Sequence, residues 1–246
     1  MEYPAIFPSL KKSCIFLILF LSMLIITFPA PTFCYYSKNA NVAKKGSTIY
    51  IRSGIYSQKV RVTQSGASGA SITFQNYQDE KVILYGLKVK LEDDGLFTIE
   101  NKYYIQIRGL EFRNLRSTKV NETPIGIYIT GTGSYIDIRN NYIHHIEANV
   151  KGGNAHSIAV YGTSSSAQNN LNPIVIDNNE LANLKLEVNE VIAVNGNIDS
   201  FQVTNNKVYD KNIMEFVLIG HEGVSLVATL DRHNASINNH YTYQWN

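Results

Sequence analysis

A short run recurs along this chain, and it limits the possible fold more than any other feature. Ile136-Asp137-Ile138-Arg139-Asn140-Asn141-Tyr142-Ile143 matches Ile174-Val175-Ile176-Asp177-Asn178-Asn179-Glu180-Leu181 and Phe201-Gln202-Val203-Thr204-Asn205-Asn206-Lys207-Val208. Ala235-Ser236-Ile237-Asn238-Asn239-His240-Tyr241 is a fainter copy, and Ile105-Gln106-Ile107-Arg108-Gly109-Leu110 is an earlier one with Gly109 in place of Asn. A second run precedes the later copies: Ile127-Tyr128-Ile129-Thr130-Gly131, Ile158-Ala159-Val160-Tyr161-Gly162, Ile192-Ala193-Val194-Asn195-Gly196 and Phe216-Val217-Leu218-Ile219-Gly220. The repeat length, roughly 27 to 38 residues, is that of stacked architectures. No stretch past the first 45 residues sustains a helical apolar period, so helices should be scarce.

Each unit offers two or three short strands with alternate residues apolar, and a unit of that kind cannot bury its apolar face alone. Stacking units at the strand spacing of roughly 4.8 Å pairs every strand above and below, which makes a parallel β-helix. The column Asn141, Asn179, Asn206 and Asn239 fits this solution, because Asn tolerates left-handed backbone at a bend and its amide can bond the next Asn. Hydrophobic residues make up 44% of the chain, enough for a sizeable core, and a formal charge of +2 gives no electrostatic reason to expect nucleic acid.

Residues 1–34 read as an export signal, with residues 35–246 as the β-helix domain. Lys11 and Lys12 form a positive start, Ile15 to Phe28 an apolar run, and Pro29, Ala30, Pro31 and Thr32 a small-residue exit. The run is short for a membrane span, which needs roughly 20 apolar residues; a retained anchor is the alternative. Cys14 adjoins the run and Cys34 sits near the expected cleavage region, so no disulfide or thiolate metal site is expected in the mature domain. The expected product is a secreted monomer, free of the membrane after cleavage.

From Gly46 onward the chain resembles secreted right-handed parallel β-helix proteins of the pectate-lyase-like superfamily. The likeness is carried by Gly46-Ser47-Thr48-Ile49-Tyr50-Ile51-Arg52-Ser53-Gly54-Ile55-Tyr56, by Ile72-Thr73-Phe74, by the Asn-Asn copies and by Gly220-His221-Glu222-Gly223. It implies an all-β, single-stranded solenoid, incomplete at its C-terminal end because relatives continue for further coils. It also implies a polysaccharide partner and a lyase-like reaction, β-elimination at a uronate. Where relatives present a Gly-Ile-Asp run this chain has Glu215-Phe216-Val217, so an outward carboxylate is read as replaced by Val217.

Such a reaction needs a cation or basic group at the uronate carboxylate, a base beside it and a groove for the chain. The catalytic candidates are Lys211, Arg232, His221 and Glu222, with Lys211 favoured as base because its amine can be neutral, unlike a guanidinium. Calcium would be held by Glu190, Asp210 and Glu222. Alternation places Tyr128, Ala159, Ala193 and Val217 in one outward column, beside Thr130, Tyr161, Asn195 and Ile219. Tyr128 and Tyr161 offer flat rings to sugars, Asn195 an amide, and His156 lies one strand spacing from Glu190. The rival reading is a non-catalytic carbohydrate-binding or cell-surface module on the same solenoid.

Overall fold

A computed structural model describes residues 43–92, 94–166, 168–187 and 190–209 in full, and the backbone alone at 32–34, 210–212, 215–220 and 236–241. The strands are β1 (Thr32–Cys34), β2 (Thr48–Ile51), β3 (Gly54–Tyr56), β4 (Val60–Arg61), β5 (Ile72–Asn76), β6 (Val82–Tyr85), β7 (Phe97–Arg108), β8 (Glu111–Ser117) and β9 (Ile125–Arg139). They continue as β10 (Tyr142–Ala148), β11 (His156–Gly162), β12 (Ile174–Asp177), β13 (Glu180–Lys185), β14 (Glu190–Gly196), β15 (Phe201–Asn212), β16 (Glu215–Gly220) and β17 (Ser236–Tyr241). No helix occurs among the described residues, and the ladders between these strands are all parallel. The product is a β-solenoid of about five turns.

Three stacks of strands wrap one core. In the first, Val60, Phe97, Ile127, Ile158, Ile192 and Val217 stand in register. In the second the column is Ile72, Ile105, Ile136, Ile174 and Phe201. The third carries Leu84, Phe112, Ile143, Leu181 and Val208. The described members of these columns are buried, and Phe97 joins Phe74 and Phe112 edge to face at 5.2 and 6.4 Å between ring centres. β-Branched and aromatic side chains thus fill the interior that the alternating sequence reserves for them.

The Asn-Asn pairs make the corner between the second and third stacks, and the two members divide the work. The first of each pair, Asn140, Asn178 or Asn205, takes the left-handed backbone, as Gly109 does one coil earlier. The second is buried and forms a ladder: Asn179 Oδ1 accepts from the N–H and the amide of Asn141 at 3.0 and 3.1 Å, and Asn206 Oδ1 accepts from Asn179 at 2.9 and 3.0 Å. Their amides also donate to the carbonyls of Ile107, Ile138 and Ile176. The left-handed angle expected of the ladder asparagines therefore belongs to their neighbours. Gly109 is a glycine because a Cβ there would meet Asn76 Oδ1 at 2.2 Å.

Two features depart from simple alternation. The third stack bends at Asn114, His145 and Asn183, all with positive φ, so that Ile143 and Ile146 both face inward although three residues apart. The register of β16 also differs by one residue from the sequence alignment. Val217 stands on inward Ile192, and Leu218 stands on Ala193. By backbone register Val217 thus falls in the column of Ile192 rather than that of Ala193, and Gly220 falls on Asn195. Thr32–Cys34, at the end of the expected export signal, pairs with β2 in the second stack; residues 1–31 lie outside the described residues.

Candidate functional site

The outward face of β9, β11 and β14 collects most of the sugar-binding candidates. Tyr128, Ala159 and Ala193 are in register, as are Thr130, Tyr161 and Asn195. Ala159 and Ala193 are fully covered, because the Tyr128 and Tyr161 rings, edge to face at 5.9 Å, lie against them. Small alanines make a flat floor on which two large rings can rest half-buried. Asn195 is buried, and its Oδ1 has no hydrogen-bond partner among the described residues.

His156 sits one coil below Glu190 at the entrance of these strands. Its Nδ1 lies 3.2 Å from the Glu190 carbonyl oxygen and its Nε2 lies 3.3 Å from the Tyr161 hydroxyl. Burial pushes the imidazole down, to about 4, against the pull of the Glu190 carbonyl. A neutral ring satisfies both contacts as one tautomer, with Nδ1–H donating to the carbonyl and Nε2 accepting from Tyr161. The Glu190 carboxylate, 3.9 Å away, is then a neighbour of the ring rather than its ion pair. Below this face Arg61 stands on Thr98, which stands on Tyr128; Arg61 is paired with Glu100 at 2.5 Å, and Lys59 with Asp94.

The stacking separates other candidates. Asp210 and Lys211 belong to β15 in the third stack, where Lys211 is in register with buried Leu184. Glu190 opens β14 in the first stack, so Glu190 and Asp210 do not share a column. Among the described residues no three His, Cys, Asp or Glu gather in a way that could hold a metal. His221, Glu222 and Arg232 lie outside the described residues.

One charged cluster is assembled from three coils and is invisible in any short motif. Glu111 receives Lys81 at 3.0 Å, Arg113 at 2.9 Å and His144 Nε2 at 3.1 Å, while His144 Nδ1 meets His145 Nδ1 at 2.6 Å. Burial opposes ionisation of Glu111, but the bonds from His144 and Lys81 and the charge of Arg113 outweigh it and hold the carboxyl below its usual range. Burial likewise lowers His144 despite Glu111. Laying Glu111-Phe112-Arg113 over Tyr142-Ile143-His144 in the repeat would have brought Glu111, Arg113 and His144 together, though not Lys81.

The chain is 38% identical over 185 residues to the uncharacterized protein YwoF of Bacillus subtilis (strain 168), a match covering 74% of this chain and 38% of that protein. The chain thus spans 38% of the length of that curated relative. Among solved structures, a rhamnogalacturonan lyase is similar with a TM-score of 0.42 at 11% identity, over 84% of this chain and 61% of that one. An alginate lyase from Paenibacillus sp. str. FPU-7 gives 0.31 at 12% identity, over 78% of this chain and 98% of that one. The PL6 family alginate lyase AlyGC gives 0.32 at 13% identity, over 80% and 41%. No family model matches the chain.

Proposed function

We propose that this chain is an exported β-helix protein acting on acidic polysaccharide, lyase-like in type, across the face of Tyr128 and Tyr161. The observation that carries the reading is the pair of half-buried rings on an alanine floor, with the Tyr161 hydroxyl tied to His156. Rings so fixed offer flat apolar surface to sugar faces at low entropic cost. In the elimination a base takes the proton from the carbon next to the uronate carboxylate. Its electron pair forms a carbon–carbon double bond, the bond to the glycosidic oxygen breaks, and that oxygen takes up a proton. Gly220 stands on Asn195, and His221 and Glu222 come next in the sequence. This reading keeps Lys211 and His221 as the expected bases, with Lys211 on the third stack.

Pectate, alginate and glycosaminoglycan should each be tested for the absorbance of an unsaturated uronate, with calcium and with a chelator. A rise on one of them, lost in His221→Ala, is the expected result; flat traces on all three with calcium present overturn the elimination. The second reading, a module that binds without turnover, is favoured by the neutral state of His156 and by the carboxylates that already hold Lys59 and Arg61. It predicts retardation in an affinity gel without absorbance, abolished in Tyr128→Ala/Tyr161→Ala.

A further inference from the structure

The corner of the Asn-Asn pairs carries a second groove, away from the tyrosine face. Its wider part, 660 Å³, is bounded by Gln75, Gln78 and Arg108, and a narrower part, 350 Å³, continues past Asn178 and Asn205. Asn140 and Tyr142 border both, so the groove crosses the strands and runs along the stack.

Most of the charges on its walls are matched, while exposed Asp79 and Lys207, one of each sign, are in no ion pair among the described residues. Lys81 is held by Glu111 at 3.0 Å, Arg108 by Asp137 at 3.4 Å, and Glu80 by Arg52 at 2.8 Å. The Tyr209 hydroxyl donates to Glu180, and Lys207 lies over the Tyr209 ring at 4.6 Å. What the groove offers a ligand is amides. Asn140, Asn178 and Asn205 are exposed at the rim, one per coil, at a repeat of roughly 4.8 Å. Asn178 donates to Asn140 Oδ1 at 2.7 Å, leaving the Asn140 NH2 and the Asn178 carbonyl oxygen available. An anionic chain gains most from uncompensated cations, whereas a hydroxyl, both donor and acceptor, pairs with an amide at either end.

We propose that this corner groove binds a neutral oligosaccharide laid along the axis of the solenoid, with one amide meeting it at each coil. The site is independent of the elimination proposed above. Binding of cellohexaose, mannohexaose, a linear galactohexaose and hexagalacturonate to the full chain should be measured by calorimetry. One neutral hexasaccharide is expected to bind, and Asn140→Gly/Asn178→Gly to weaken it at least tenfold. Glycine keeps the left-handed backbone at these positions, as Gly109 does in the coil before. Tyr142→Ser, on the shared rim, reads the same groove should the glycine variant lose its fold. The proposal is overturned if no neutral hexasaccharide binds at millimolar concentration, or if both variants bind undiminished. It also fails if Tyr128→Ala/Tyr161→Ala abolishes neutral binding, or if the glycine variant selectively loses hexagalacturonate. Elimination assays on acidic polymer should be unchanged in the glycine variant, so failure of one proposal leaves the other standing.

Discussion

At the scale of single residues, the ladder asparagines show how much stability rests on a polar side chain in the interior. Asn179 accepts from Asn141 and donates to the Ile138 carbonyl and to Asn206, all out of solvent. Asn179→Ala orphans the Asn141 N–H and the Ile138 carbonyl together. Each unsatisfied buried group costs about 1–3 kcal/mol, so a loss of about 3 kcal/mol or more is expected in urea unfolding. A loss below 1 kcal/mol would mean that water replaces the amide. Leu110 occupies the same place in the coil before and is tolerated, because its N–H still finds Asn141 Oδ1 at 3.1 Å. The Asn column was legible in the sequence as a row of identical residues. Which member of each pair turns the chain was not, since both are the same residue type.

At the scale of elements, the bend in the third stack decides which side chains enter the core. Phe112 and Leu115, Ile143 and Ile146, and Leu181 and Leu184 all face inward at a spacing of three, across a left-handed Asn114, His145 or Asn183. A strict two-residue alternation would have sent the second member of each pair to solvent. The bend was hard to read because His145 is not a turn former of the usual kind, while the asparagines on either side are. Left-handed backbone costs a β-branched residue about 1–2 kcal/mol more, so His145→Val should destabilise the fold by about that amount. His145→Asn should be near neutral by thermal unfolding, and equal melting of the two variants would argue that the bend is not held. The one-residue register change in β16 has a similar origin. Phe216-Val217-Leu218-Ile219 is apolar throughout, and a continuous apolar run carries no parity of its own.

At the scale of the whole molecule, the repeat made the solenoid readable, and the sites that need three coils at once stayed hidden. Tyr128 and Tyr161 could be placed on one face from copies of a single run, whereas Lys81, Glu111 and His144 come together only after the coils are stacked. Global stability should also report the buried imidazole. His156 titrates at about 4 in the folded chain against its ordinary 6.5, so between these values the unfolded chain binds the extra proton. Stability from this group is complete above pH 6.5 and is lost as the pH falls toward 4, by about 3 kcal/mol in all. His144, also lowered, adds in the same direction. Urea midpoints in that range should therefore fall more steeply for the parent than for His156→Phe, and parallel slopes would contradict the assignment. The chain takes 38 residues from Asn141 to Asn179 and 27 from Asn179 to Asn206, yet both journeys climb a single rung. Height is gauged by the amides while circumference is left unregulated, so a coil can grow sideways without disturbing the pitch. The tip at Lys151-Gly152, where an added Cβ meets nothing within 4 Å, is a natural port for grafting foreign sequence onto the scaffold.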